Sequence, residues 1–236
     1  MIRISGLRKR FGTLEVLRGV DAHVGNGRIT GIVGPNAAGK TTLIKMILGL
    51  TRPDAGEILV NGTRVNGDES YRAAIGYMPQ IARFPSSLTG VELITMLRGL
   101  RSMEAPIDES LIDRFGIRDD LGRKLNSLSG GTRQKITAVT AFLFSPDLLI
   151  LDEPTAGLDP RSSSLLKDRI LEDKTKGTTF MITSHIMSEL EELADDLIFI
   201  HEGTVRFSGS IPEMIDQTSQ PTLERAIAAL MQRQAA

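Results

Sequence analysis

The stretch "GPNAAGKTT", residues 34–42, constrains this chain more than any other part of it. It fits the pattern G-x-x-x-x-G-K-[ST] at every fixed position. The apolar run "RITGIVG" comes immediately before it, and "KTTLIKMILGL" follows with apolar residues at helical spacing. The loop therefore stands between a strand and a helix. In that setting the backbone N–H groups around Gly34, Pro35, Asn36, Ala37, Ala38 and Gly39 and the positive end of the following helix form a cradle for a nucleotide's phosphates. Lys40 is placed to reach the β- and γ-phosphates and the Thr41 hydroxyl to ligate magnesium. A glycine-rich turn without chemical consequence would not need the strand, the turn, the lysine and the threonine in one register.

A second turn raises a question. "LNSLSGGTRQK", residues 125–135, has a glycine pair opening a helix but no lysine placed to hold a phosphate. Further on, "LLILDEP", residues 148–154, is an apolar strand ending in two carboxylates. Carboxylates are costly to desolvate without a partner, which argues against a purely structural strand end. Asp152 is expected to hold magnesium, directly or through water, and Glu153 to polarise an attacking water. His185 ends another apolar strand, "FMITSH". A lone histidine is often only a satisfied polar residue, but this position suits a sensor of the γ-phosphate. Gln80 ends the strand "AIGYMPQ" and can coordinate the metal or a water; His23 and His201 lie in or near surface turns and get no role.

Composition removes other classes. The chain has 236 residues, enough for one large domain or two small ones. Its 28 basic and 29 acidic residues form no basic tail or acidic block, so no nucleic-acid partner is expected. Cysteine is absent, which excludes disulfides, thiolate metal sites and a cysteine nucleophile. The start, "MIRISGLRKRFG", has no apolar signal core. Runs such as "DLLILD" and "AFLF" fall far short of the roughly 20 residues that span a bilayer, so the chain is not expected to cross a membrane by itself.

The order of patterns predicts an α/β architecture. Short strands "IRISGL", "VDAHVG" and "RITGIVG" come first, then the loop helix and "GEILVNGTRV". Residues 81–145 read as a helical insertion: Thr89 and Glu92 have the spacing of a capping box, "DESLIDRF" should stop near Gly116, and "TRQKITAVTAFLF" should end by Ser145 and Pro146. The strands "DLLILDEP", "TTFMITSH" and "LIFIHEG" then alternate with helices, implying parallel strands with chemistry at their carboxyl ends. The resulting domain map is 1–210, with a short helical tail over 211–236.

These elements in this order resemble the nucleotide-binding subunit of ABC transporters. The resemblance implies a P-loop NTPase fold with a RecA-like core, an antiparallel β subdomain and a helical insertion. It also implies ATP and Mg2+ as ligands. On that resemblance Phe11 stacks on adenine, and Gly34, Pro35, Asn36, Ala37, Ala38, Gly39, Lys40, Thr41 and Thr42 are the phosphate loop. Gln80 lies in the loop that senses the membrane partner, Asp152 and Glu153 are the second acidic motif, "AGLD" ending at Asp159 is the dimer-contacting loop, and His185 is the switch histidine. "LSGGTRQK" is the family signature, which answers the question about the second turn. Subunits of this family pair head to tail, and Ser129, Gly130 and Gly131 of one chain cover the γ-phosphate held by the other's Lys40. The implied partners are a second copy, joined through ATP, and a transmembrane permease, with the subunit peripheral on the cytoplasmic face of the cell membrane. Three positions depart from the usual pattern: Ala37 for glycine, Thr132 for glutamine and Lys135 for arginine. Soluble ATPases of translation or DNA repair, and phosphate-loop kinases, are the competing classes. The single-domain build resembles ABC-2-type export ATPases, and "LSGGTRQKITAVTAFLFSPDLLILDEPTAGLDP" with "ITSHIMSELEELADDLIFI" resembles the copper-processing ATPases that mature nitrous oxide reductase.

Overall fold

The computed structural model describes residues 1–65 and 69–232. The chain divides into two compact units, Met1–Arg72 with Thr179–Ala236, and Ala73–Thr178.

The first unit opens with β1 (Ile2–Phe11) and β2 (Leu14–Val24), an antiparallel hairpin in which Phe11 faces Leu14. Ile2, Ile4 and Leu7 are buried and the intervening residues more exposed, as in a sheet with one wet face. Both strands run further than the apolar patterns "IRISGL" and "VDAHVG" predict. The register slips between Ile4 and Leu7, between Leu7 and Arg8 and between Lys9 and Arg10, which breaks the period of two that marks a strand in sequence. Next come β3 (Ile29–Val33), α1 (Lys40–Ile47), β4 (Ala55–Val60) and β5 (Thr63–Arg64). One sheet has the order β2-β1-β4-β5.

The second unit contains β6 (Ile75–Met78), α2 (Gly90–Arg101), α3 (Ser110–Phe115), α4 (Gly130–Phe142), β7 (Leu148–Asp152) and α5 (Pro160–Thr175). Its limits are wider than the predicted helical segment 81–145, because β6 and β7 pair in parallel and α4 packs on β6. The capping box of α2 is formed: the Thr89 N–H donates to Glu92 at 2.8 Å and the Glu92 N–H to the Thr89 hydroxyl at 3.2 Å. Gly116 takes a left-handed conformation at the end of α3, and α4 stops at Leu143, ahead of Pro146.

Arg169 of α5 is the polar centre of this unit. Its side chain is 5% exposed and donates to Asp173 at 2.6 Å, to Asp108 at 2.7 Å and to the Ser110 hydroxyl. It therefore ties α5 to the start of α3. Burial pushes the Asp108 carboxyl up, but hydrogen bonds from Arg169 and Ser110 outweigh that and hold it at about 2.

The chain returns to the first unit with β8 (Thr179–Thr183), α6 (Met187–Leu193), β9 (Asp196–His201), β10 (Thr204–Ser210), α7 (Ile211–Thr218) and α8 (Leu223–Gln232). Its second sheet runs β10-β9-β3-β8, with β3 parallel to β8 and β9 and β10 antiparallel to β9. The apolar pattern predicts neither β10 nor α7, since "TVRFSGS" carries few apolar residues; α7 begins at a capping box of Ser210 and Glu213. The segment predicted as a tail is part of this unit's core. Met214, Leu223, Ala226 and Leu230 cluster with Val33, Leu190 and Phe199. Residues 233–236, the end of the predicted tail, lie outside the described residues.

Replacing Arg169 by methionine leaves Asp108 and Asp173 without their buried cation, and should cost about 3 kcal/mol in urea unfolding. The Asp108 carboxyl is depressed on folding, so its contribution is complete above the ordinary value of 3.8 and lost as pH falls toward about 2. Wild-type stability should drop across that window more steeply than that of the Arg169→Met variant.

Candidate functional site

In the first unit the phosphate loop leaves β3 at Gly34 and enters α1 after Gly39. Gly34 has φ 155, and a Cβ there would lie 2.1 Å from the Ile200 carbonyl oxygen. Gly39, at φ 107, would bring a Cβ to 2.6 Å from the Leu17 side chain. These two close approaches explain why both fixed positions of the motif are glycine. No side chain caps α1, and its own first turn holds no acidic residue, so the helix supplies no anion of its own to its N–H groups and dipole. The Lys40 ammonium donates to the carbonyls of Gly34 at 2.5 Å and Pro35 at 3.0 Å, which folds it back over the loop. Pro35 also accepts from the Ala38 N–H at 3.2 Å. Asn36, Ala37 and Thr41 are exposed and Thr42 is half-buried.

β8 lies beside β3 with Thr183 opposite Ile32, so His185 follows the carboxyl end of the strand next to the loop. A residue that sequence reading passed over fixes that turn. Buried Ser184 accepts from the Ile186 N–H and donates to Glu189, both at 3.0 Å, and His185 is left exposed. Phe11, 52% exposed at the tip of β1, has the Lys9 ammonium 5.3 Å from its ring. Lys9 is in turn held by Asp54 at 2.9 Å.

The second unit carries the acidic groups. All five residues of β7 are buried, ending in Asp152 at 7% exposure. Glu153 takes φ 52, a left-handed conformation rare for a glutamate, and its carbonyl accepts the Ala156 N–H at 3.1 Å. Met78 is in register with Leu151, so Gln80 leaves β6 at the same strand edge as Asp152 and Glu153. Tyr77 also belongs here although no sequence motif marks it: burial, and then the Asp152 charge, push its hydroxyl up to about 12. Ser129 caps α4, accepting from the Thr132 N–H at 3.1 Å and sharing a 2.9 Å hydrogen bond with the Thr132 hydroxyl. Thr132, one of the departures from the usual signature, is therefore tied to the serine beside it. Asp159 caps α5 and pairs with Lys135 at 3.0 Å. Its carboxylate is directed at its own chain, with hydrogen bonds from Ser162 holding it well below the usual carboxylate range.

The structure thus places the phosphate loop and His185 in one unit, and Gln80, Asp152, Glu153, the Ser129 turn and Asp159 in the other. A family profile described as ABC transporter matches residues 17–156, more than half of the 236-residue chain. The chain belongs to that family. Phe11, Asp159 and His185 fall outside the matched stretch.

Relatives extend the match along the chain. The daunorubicin resistance ATP-binding protein DrrA3 of Streptomyces coeruleorubidus is 35% identical over 223 residues, covering 92% of this chain and 70% of that one. The Nod factor export ATP-binding protein I of Burkholderia lata is 35% identical over 220 residues, covering 91% and 72%. A solved ATP-binding subunit of an ABC transporter superposes with a TM-score of 0.88 at 31% identity, covering 98% of this chain and 99% of that one. The fold is accordingly that of an ABC ATPase, and the chain is an ATP-hydrolysing cassette. Among its described residues no helix is long and apolar enough to cross a membrane.

Ala37 sits in this cassette's phosphate loop at φ 62. That conformation costs an L-residue roughly 1–2 kcal/mol, while glycine gives back about 0.5–1 kcal/mol in chain entropy. Ala37→Gly should therefore raise unfolding stability by about 0.5 kcal/mol with nucleotide binding retained, measured by urea denaturation and nucleotide titration.

Proposed function

We propose that the chain is the ATP-binding subunit of an ABC-2-type exporter, working as a head-to-tail dimer that drives a separate membrane permease. The observation that carries this reading is the start of α4. Ser129 satisfies the Thr132 N–H, while Gly130 and Gly131 have N–H groups with no partner inside the helix, and the first turn has no acidic side chain. Such a helix start favours an anion. It has no lysine, and the phosphate loop of a second copy supplies one.

The residues fit Mg-ATP. Gly34 and Gly39 lie so close to Ile200 and Leu17 that only glycine lets the loop backbone take this path, which sets the loop's N–H groups for phosphate, and hydroxyl and carboxylate oxygens are the donors a hard cation takes. Phe11 stacks on the adenine and residues 34–42 cradle the phosphates. Thr41 in the first unit, and Asp152 and Gln80 in the second, are the oxygen donors that would hold magnesium, and the ion would supply charge to offset that of the phosphates. Glu153 accepts a proton from the attacking water; the water's oxygen bonds to the γ-phosphorus as the bond to the bridging oxygen breaks, leaving ADP and phosphate. His185 senses the γ-phosphate, and Ser129, Gly130 and Gly131 of the second copy neutralise it from the open side. Asp159 stands in the loop that contacts that copy.

A groove of about 340 Å³ in the second unit, lined by Ala82, Phe84, Leu125 and Arg133 among others, is suited to receive a permease segment close in sequence to Gln80. That partner would keep the subunit on the cytoplasmic face of the membrane. The export direction is supported by relatives named for drug resistance and Nod factor export. The copper-processing resemblance rests on two segments and is not carried by those relatives, so the cargo is left at the export class. A soluble role in translation or repair has no comparable support.

Glu153→Gln should retain ATP binding, lose roughly 10²–10⁴-fold in turnover and accumulate as an ATP-dependent dimer in size-exclusion chromatography. Ser129→Ala should lose less, because the backbone donors remain. Wild-type turnover in Glu153→Gln would falsify the assignment of the base.

A further inference from the structure

Between Glu153 and Asp159 the chain makes two successive tight turns. The Ala156 N–H donates to the Glu153 carbonyl and the Leu158 N–H to the Thr155 carbonyl, each at 3.1 Å. Pro154 and Thr155 are buried, and both Glu153 and Gly157 are left-handed, at φ 52 and 76. The segment is short and hydrogen-bonded within itself, so where Asp159 sits bears on where Glu153 sits.

The first turns of α4 touch this segment twice. A Cβ on Gly131 would lie 3.2 Å from the Gly157 carbonyl oxygen, so the helix and the turn are in near contact there. One turn further along α4, the Lys135 ammonium reaches Asp159 at 3.0 Å with its side chain only 17% exposed. The same carboxylate accepts from the Ser162 N–H at 2.9 Å and the Ser162 hydroxyl at 2.7 Å. Lys135 therefore fixes the junction between the carboxylate turn and α5, and it projects from the helix whose start carries Ser129.

We infer that Lys135 is a positioning residue for hydrolysis: through Asp159 it couples the anion-facing start of α4 to the turn that aims Glu153. The inference rests on the proposed dimer, because the anion at α4 is the γ-phosphate held by a second copy. When that phosphate arrives, α4 and the Glu153 turn settle together. A signature engaged by nucleotide and a correctly aimed base then become one event. Asp159 is half-exposed, and ion pairs of that kind contribute little to stability, so the pair's consequence is geometric.

The test is the steady-state ATPase rate of the full chain, as a function of ATP concentration, for wild type, Lys135→Met, Lys135→Arg, Asp159→Asn and the Lys135→Met/Asp159→Asn double variant. Asparagine keeps the cap of α5. Lys135→Met should lower kcat roughly tenfold, with KM for ATP and the thermal midpoint unchanged. Lys135→Arg should restore most of the rate, since its guanidinium also pairs with a carboxylate. The double variant should be no slower than the slower single one, as expected for two groups acting through one contact. Wild-type kcat in Lys135→Met overturns the inference, as do fully additive losses or a fall in thermal midpoint that arginine does not rescue. Size-exclusion chromatography of Glu153→Gln with ATP separates the two levels. An ATP-dependent dimer alongside wild-type kcat in Lys135→Met removes the coupling alone, whereas no dimer removes the dimer reading and the coupling with it.

Discussion

A parallel strand buried on both faces has no place along its length for a charged side chain, so polar groups gather where it ends. β3, β7 and β8 are each buried at all five residues. Their carboxyl ends carry, in turn, the phosphate loop, the Asp152 and Glu153 pair, and His185. The cost of desolvating a carboxylate thus fixes where chemistry can sit before any substrate is considered. In each unit the parallel pairing then brings two strand ends side by side: β3 with β8 in the first, β6 with β7 in the second.

Helix starts divide the remaining work. α2 and α7 close their first N–H groups with a reciprocal capping box, and α5 with Asp159. α1 has no such cap, only Gly39 in a conformation that an L-residue rarely adopts. α4 lies between these extremes, with a serine that satisfies one donor and two glycines behind it. An unsatisfied helix start is costly unless water or a ligand completes it. The short helices α3 and α6 also lack a side-chain cap, so an open start does not by itself mark a ligand site; α1 is distinguished by the glycine-bounded loop that leads into it.

Much of this was legible in the sequence. A motif with fixed spacing between a strand and a helix locates the loop without ambiguity, and "LLILDEP" locates the carboxylates, because both depend on local pattern. Sequence reading failed where the determinant is non-local. β10 is a strand because β9 supplies its partner, and its own residues lack an apolar alternation. The ends of β1 and β2 were hidden by register slips, and the last helices looked like a tail although their apolar faces complete the cluster around Val33 and Phe199. Ser184 and Tyr77 owe their surroundings to neighbours that only folding brings near: Ser184 fixes the turn of His185, and half-buried Tyr77 lies within the field of the Asp152 charge.

The two ties on α5 differ in a way that matters for motion within the second unit. Arg169, buried and bonded to Asp108, Ser110 and Asp173, joins the body of the helix to the start of α3. Breaking that tie would strand charges away from water, so it holds as a unit. Lys135 and Asp159 sit at the other end, with the carboxylate half in solvent. Water can replace either partner there at small cost. A helix fixed firmly at one end and lightly at the other has its freedom at the lightly held end. In α5 that end adjoins the turn that carries Glu153, so the fold concentrates its adjustable contacts next to the carboxylate and its rigid ones away from it.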